Sequence, residues 1–98
     1  MVKHIVFWKL HDQAEGQTKL ENAKIIKEKL EGLVGVIPGL LSANVGINQN
    51  GGEYDAALIA EFSTFDDLHQ YDTHPAHQKV REFVAKVRIA RTAVDYEY

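Results

Sequence analysis

From Val2 to Leu10 large side chains fill both alternating sets of positions. His4, Val6, Trp8 and Leu10 share one side, Ile5 and Phe7 the other. A run that is apolar on both sides predicts a strand inside a sheet. Between 17 and 36 the period changes. Leu20, Ala23, Ile26, Leu30, Leu33 and Ile37 recur at helical spacing, with Glu21, Lys24, Lys27, Glu28 and Glu31 largely off the stripe. This predicts an amphipathic helix over 17–36, ended by Pro38-Gly39. Over 40–48, Leu41, Ala43, Val45 and Ile47 alternate with Ser42, Asn44, Gly46 and Asn48, the pattern of a half-buried strand. Asn48-Gln49-Asn50-Gly51-Gly52 then predicts a hairpin turn, since Asn and Gly tolerate positive φ. Residues 54–62 form a third strand, with Tyr54, Leu58 and Phe62 on one side and Ala57 and Ile59 on the other. Ser63 or Thr64 caps a short helix to about Tyr71. A further helix runs from Pro75 to Val87, because proline suits a first helical turn and Val80, Phe83, Val84 and Val87 form its apolar face. Residues 90–97 close as a fourth strand.

The order β-α-β-β-α-β defines an α+β, ferredoxin-like subunit. Its four-stranded antiparallel sheet carries the helices on one face and buries Val6, Leu30, Leu58 and Phe83 together. The helices cover one sheet face only. Ile5, Phe7, Ala57 and Ile59 are then left as an apolar patch, which predicts a homodimer joined face to face through Ile5, Phe7 and Ile59. Such a contact gains about 25 cal/mol per Å² of apolar area.

With 98 residues the chain is expected to be one domain, 1–98. Net charge is −3, and the 11 basic residues read as scattered, without an arginine cluster, which argues against nucleic acid as a partner. Cysteine is absent, so thiol catalysis and iron–sulfur ligation are excluded. No apolar run is long enough for a membrane span or a signal peptide, and the expected location is the cytoplasm.

Candidate chemistry concentrates in Tyr71-Asp72-Thr73-His74-Pro75-Ala76-His77. His77 shares the inward phase of Val80 in the first turn of its helix. The positive end of the helix dipole there disfavours imidazolium and keeps the ring able to accept a proton. The bland reading is a histidine packed at a helix start. Tyr71 is either a hydroxyl donor to a developing enolate or an amphipathic core residue. His4, in phase with Val6 and Trp8, is either a hydrogen-bonded core residue or a group facing His77. Trp8 is core or a stacking wall. His74 caps the helix or touches ligand, and Val6, Leu58 and Val80 would line the same space. His74 and His77, at i and i+3, could join His4 around a metal. The cap position turns His74 away and no carboxylate is evidently placed, so no metal and no cofactor are assigned.

Val2-Lys3-His4-Ile5-Val6, Tyr71-x-x-His74-Pro75-Ala76-His77 and Asp95-Tyr96 together resemble the stress-responsive A/B barrel family, across essentially the whole chain. The resemblance implies a dimeric α/β barrel. It does not imply one activity, since the family includes stress-induced plant proteins and cyclases acting on polyketide chains. By similarity to the plant cyclases, His77 would be the base, with Tyr71 and His4 beside it. A further pocket histidine of those enzymes falls at Ala56, a helix-one tyrosine falls at Leu30, and Trp8 replaces a smaller residue. A shared substrate is therefore not implied.

Three functions remain open at this point. The first is proton abstraction beside a carbonyl, cyclase- or isomerase-like, with His77 as base and a small apolar or carbonyl-containing ligand. The second is a non-catalytic dimeric barrel in stress response or ligand binding. The third is a cofactor-free monooxygenase-like barrel. A void between sheet and helices, reached by His77 and Tyr71, separates an enzyme from a filled structural barrel.

Overall fold

The computed structural model describes all residues from 1 to 98. In chain order the elements are β1 (Val2–Leu10), β2 (Gln13–Ala14), β3 (Gln17–Thr18), α1 (Lys19–Glu31), β4 (Leu40–Ile47), β5 (Ala56–Phe62), α2 (Phe65–Thr73), α3 (Pro75–Val87) and β6 (Arg88–Glu97). The main sheet has the order β4-β5-β1-β6, antiparallel throughout, and β2 and β3 make a small separate hairpin. This is the ferredoxin-like arrangement. β1 lies in the interior between β5 and β6, as its two apolar faces require.

The inner face, under the helices, buries Val2, His4, Val6, Trp8 and Leu10 of β1 and Ala56, Leu58, Ala60 and Phe62 of β5. The outer face leaves Phe7 41%, Ile59 44% and Val94 59% exposed, so the two-sided pattern of β1 translates into one core and one open patch.

α1 is shorter than its hydrophobic stripe suggests. Thr18 caps it through a reciprocal capping box: its hydroxyl accepts from the Glu21 amide at 3.2 Å, and its own amide donates to Glu21 Oε1 at 2.9 Å. The cap starts the helix at Lys19, and Leu20 is 52% exposed rather than on the buried stripe. Gly32 ends the helix well before Pro38, and Gly35 takes a left-handed φ of 87° that continues no helix. Leu33 and Ile37 still reach the core from the turns that follow.

Three side chains depart from the expected alternation. In β4 the register slips between Leu40 and Ser42, so Leu40 is buried and Leu41 is the unpaired bulge residue, 49% exposed. Tyr54 precedes β5, escapes its alternation, and packs on Phe7 of the outer face with ring centroids 5.8 Å apart. Phe83 is half-buried at the seam between α3 and α1, under the Lys29 ammonium, and does not join Val6, Leu30 and Leu58 in the sheet core.

The β4 edge is closed by α1. Lys27 Nζ donates to the Val45 carbonyl at 2.7 Å, and Glu31 Oε2 accepts the Val45 amide at 2.9 Å. One Lys–Glu pair of a single helix face thus satisfies both outward backbone groups of Val45, as a neighbouring strand would. No helix is long and apolar enough to cross a membrane.

Candidate active site

Between α3, β1 and β6 lies a cavity of about 380 Å³. It falls within the range of small-ligand pockets, roughly 300–1,000 Å³. Trp8, Val6, Leu58, Leu30, Val80 and Val84 supply apolar wall; His4, Tyr71 and His77 supply its titratable aromatic groups. Of the expected site residues, only His74 is missing from this space. Its Nδ1 accepts the Ala76 amide at 3.0 Å, so His74 caps α3 and does not line the cavity. Because that nitrogen is committed, His74 and His77 do not converge on a common point.

Three aromatic rings carry the chemistry. Tyr71 comes from the last turns of α2 and His77 from the first turn of α3, across the corner that Pro75 makes at the helix start. Their rings lie 4.0 Å apart between centroids, tilted by 34°. Tyr71 in turn meets the edge of His4 at 6.2 Å and Phe62 at 5.2 Å. The series His4–Tyr71–His77 therefore runs continuously along one wall.

His77 Nδ1 faces the Asp72 backbone carbonyl at 3.4 Å. A carbonyl only accepts, so this contact puts the ring proton on Nδ1 and leaves Nε2 as a lone pair. Burial is the main force holding the His77 pKa below the ordinary histidine value; the Arg81 guanidinium and His4 press it the same way, against the Asp72 carbonyl and carboxylate. Tyr71 is 1% exposed, and its burial, with the Asp72 carboxylate, raises the phenol pKa against the pull of Arg91. The hydroxyl thus stays protonated as a donor.

His4 has a partner that the order of residues conceals. Its Nδ1 contacts Asp95 Oδ1, 91 positions away. The register explains the pair: His4 stands directly opposite Asp95 in the antiparallel β1–β6 ladder, where cross-strand side chains meet. Asp95 orients the imidazole and leaves Nε2 as its second nitrogen. No motif announced this carboxylate beside His4. Asp72, Arg81, Arg88 and Arg91 also line the cavity without having been singled out by motif.

Fold and site together define a ferredoxin-like barrel subunit with a histidine-lined pocket under its helices. The stress responsive A/B barrel domain family (Dabb) matches residues 2–98, and the chain belongs to this family. Among solved structures it is similar to a dimeric protein of unknown function with a ferredoxin-like fold from Bacteroides fragilis. That protein is 38% identical, with 99% of this chain and 95% of that one covered and a TM-score of 0.89. A dimeric ferredoxin-like protein of unknown function from Thermobifida fusca is 23% identical over 99% of this chain and 90% of that one, with a TM-score of 0.83. A putative antibiotic biosynthesis monooxygenase from Nitrosomonas europaea shares the fold at 17% identity, covering 100% and 98% of the two chains with a TM-score of 0.81. No curated protein matches the sequence.

Proposed function

We propose that this chain is a homodimeric barrel whose cavity binds a small carbonyl compound and moves a proton from the carbon beside that carbonyl, with His77 as base. The observation that carries the reading is the bare Nε2 of a buried, neutral-leaning His77 on the wall of the cavity. In the step, Nε2 takes the proton, the C–H electron pair moves into the carbonyl, and an enolate forms. The Tyr71 hydroxyl makes no hydrogen bond within the protein and so is free to donate to that oxygen. The enolate then attacks a second carbonyl, as in an aldol cyclisation, or regains the proton at another carbon, as in an isomerisation. His4, whose Nδ1 donates to Asp95, keeps Nε2 as a lone pair that can accept a hydrogen bond from the ligand. The competing reading is a barrel that binds without reacting.

The test is proton exchange of small ketones in D₂O, read by NMR, beside an NMR titration of the histidine rings. His77→Ala should slow the exchange by about two to four decades, the usual range for a general base. Tyr71→Phe should cost less, because the ring remains. A His77 that titrates at the ordinary value and leaves exchange unchanged when removed makes the binding-only barrel the better account.

Dimerisation is assigned to the outer sheet face, around Ile5, Phe7 and Ile59. Support comes from the exposure of Phe7, Ile59 and Val94 there and from relatives described as dimeric. Phe7→Glu would bury an unpaired charge in that contact and should give monomer or unfolded chain in sedimentation. A native chain that sediments as a monomer at micromolar concentration would count against the assignment.

A further inference from the structure

The chain contains only three arginines, Arg81, Arg88 and Arg91, and all three line the cavity that His77 faces. None of its lysines does. Arg81 stands one turn beyond His77 on α3, Arg88 is the C-terminal cap of the same helix, and Arg91 lies opposite Trp8 on β6. His77, Arg81, Ala85 and Arg88 thus follow one another at helical spacing along the cavity wall. None of the arginines forms an ion pair within the chain, whereas Lys19, Lys27 and Lys86 all do. Of the two carboxylates on the same lining, Asp95 is taken up by His4. Counted without the histidines, three cations against two anions make the cavity positive in a chain of net charge −3.

The choice of residue matters as much as the charge. Lysine serves at every other basic position, and it would solvate a cavity mouth equally well. Guanidinium differs in offering a planar fork that matches an oxyanion bidentately. We infer that the ligand of this cavity carries an oxyanion, held by Arg88 and Arg91, in addition to the reacting carbonyl near His77. This rests on the reading that the cavity takes a small molecule, and it narrows that molecule to an organic acid: a carboxylate, or a phosphate ester offering the same chemistry.

The experiment is an NMR titration of the ¹⁵N-labelled chain with benzoate, with its neutral isostere benzamide, and with phenyl phosphate. Arginine Nε–H signals and the amides of residues 71–77 are followed. At least one of the anions should bind at millimolar concentration or better, about tenfold tighter than benzamide, and weaken as salt rises from about 20 to 200 mM. The tighter of the two anions identifies the oxyanion. Arg88→Gln and Arg91→Gln should each weaken binding about five- to tenfold, while Arg→Lys at either position loses less. The amide spectrum of each variant reports whether it remains folded. Equal binding of benzamide and both anions, unchanged anion affinity in both glutamine variants, or no anion binding at all would overturn the inference, leaving the arginine stems as cover for apolar surface. The two readings fail separately. Anion binding without ketone exchange would remove the base and keep the oxyanion; exchange with neutral ketones but no anion binding would do the reverse.

Discussion

The two halves of the sheet's inner face meet the same helical layer and end differently. Over β4 and β5, the side chains of α1 and the strands close on one another: Ile26, Ala60 and Phe62 are each 0% exposed and Val45 is 1%. Over β1 and β6 the layer is hollow. There β6 presents Arg91, Ala93 and Asp95 at the inward-paired positions opposite Trp8, Val6 and His4, so that one small and two charged residues replace bulky apolar ones. The second half is lined on the β6 side by these residues rather than by bulky apolar ones. The cavity is thus written at β6, although the residues that look chemical lie in α2 and α3.

The contrast is broken most directly on the filled side. Ile26→Ala deletes a fully buried side chain where neighbours cannot collapse, and should cost about 2–5 kcal/mol in urea unfolding. If it costs as little as a surface change, α1 does not close the core as described.

The same test on the hollow side should give a much smaller number. Ala93→Leu adds volume into the existing space from a strand position that favours branched and large side chains. Unfolding stability should change by less than about 1.5 kcal/mol. Benzoate or ketone binding should nevertheless be lost, because the leucine would fill part of the cavity between Val6 and α3. A large destabilisation would show that the space is already packed, and retained binding would move the ligand elsewhere.

The periodicities that predict which side chains turn inward are local, and they were legible. Period two in β1 and β5 and the helical stripe of α3 place Val6, Leu58 and Val80 without any knowledge of pairing. His4 and His77 were legible as inward-facing for the same reason, whereas Tyr71 was placed beside them only by the family resemblance. What escaped was non-local or fell between periods. Asp95 becomes a partner of His4 only when β1 and β6 are placed side by side in register. Leu41 left the core because a bulge consumed one residue, which no alternation announces. The arginines were legible in principle. Counted along the chain they read as scattered, whereas Arg81 and Arg88 counted from His77 fall on one helical stripe, and Arg91 follows three residues later. Helix phase, applied to charges as it was to apolar residues, would have found them.

The smallest expected effect is on the pH dependence of stability, and it too separates the halves. The filled half offers no ionisable side chain to titrate in its core, while the hollow half buries His77 with its pKa lowered, first by burial. Between that lowered value and the ordinary value near 6.5, the unfolded chain binds more protons at this position than the folded one. Stability contributed by the neutral ring is therefore fully present above about pH 6.5 and falls as the pH drops toward the folded-state pKa. Urea midpoints measured from pH 7.5 down to 5 should decline for the native chain. In His77→Gln the decline should be shallower by the share that one histidine contributes, while the Ile26→Ala chain, weaker at every pH, should keep the native slope. Equal slopes in the native and His77→Gln chains would mean that the folded state accommodates imidazolium at this position as readily as water does, and the cavity wall around His77 would then be wetter than its burial indicates.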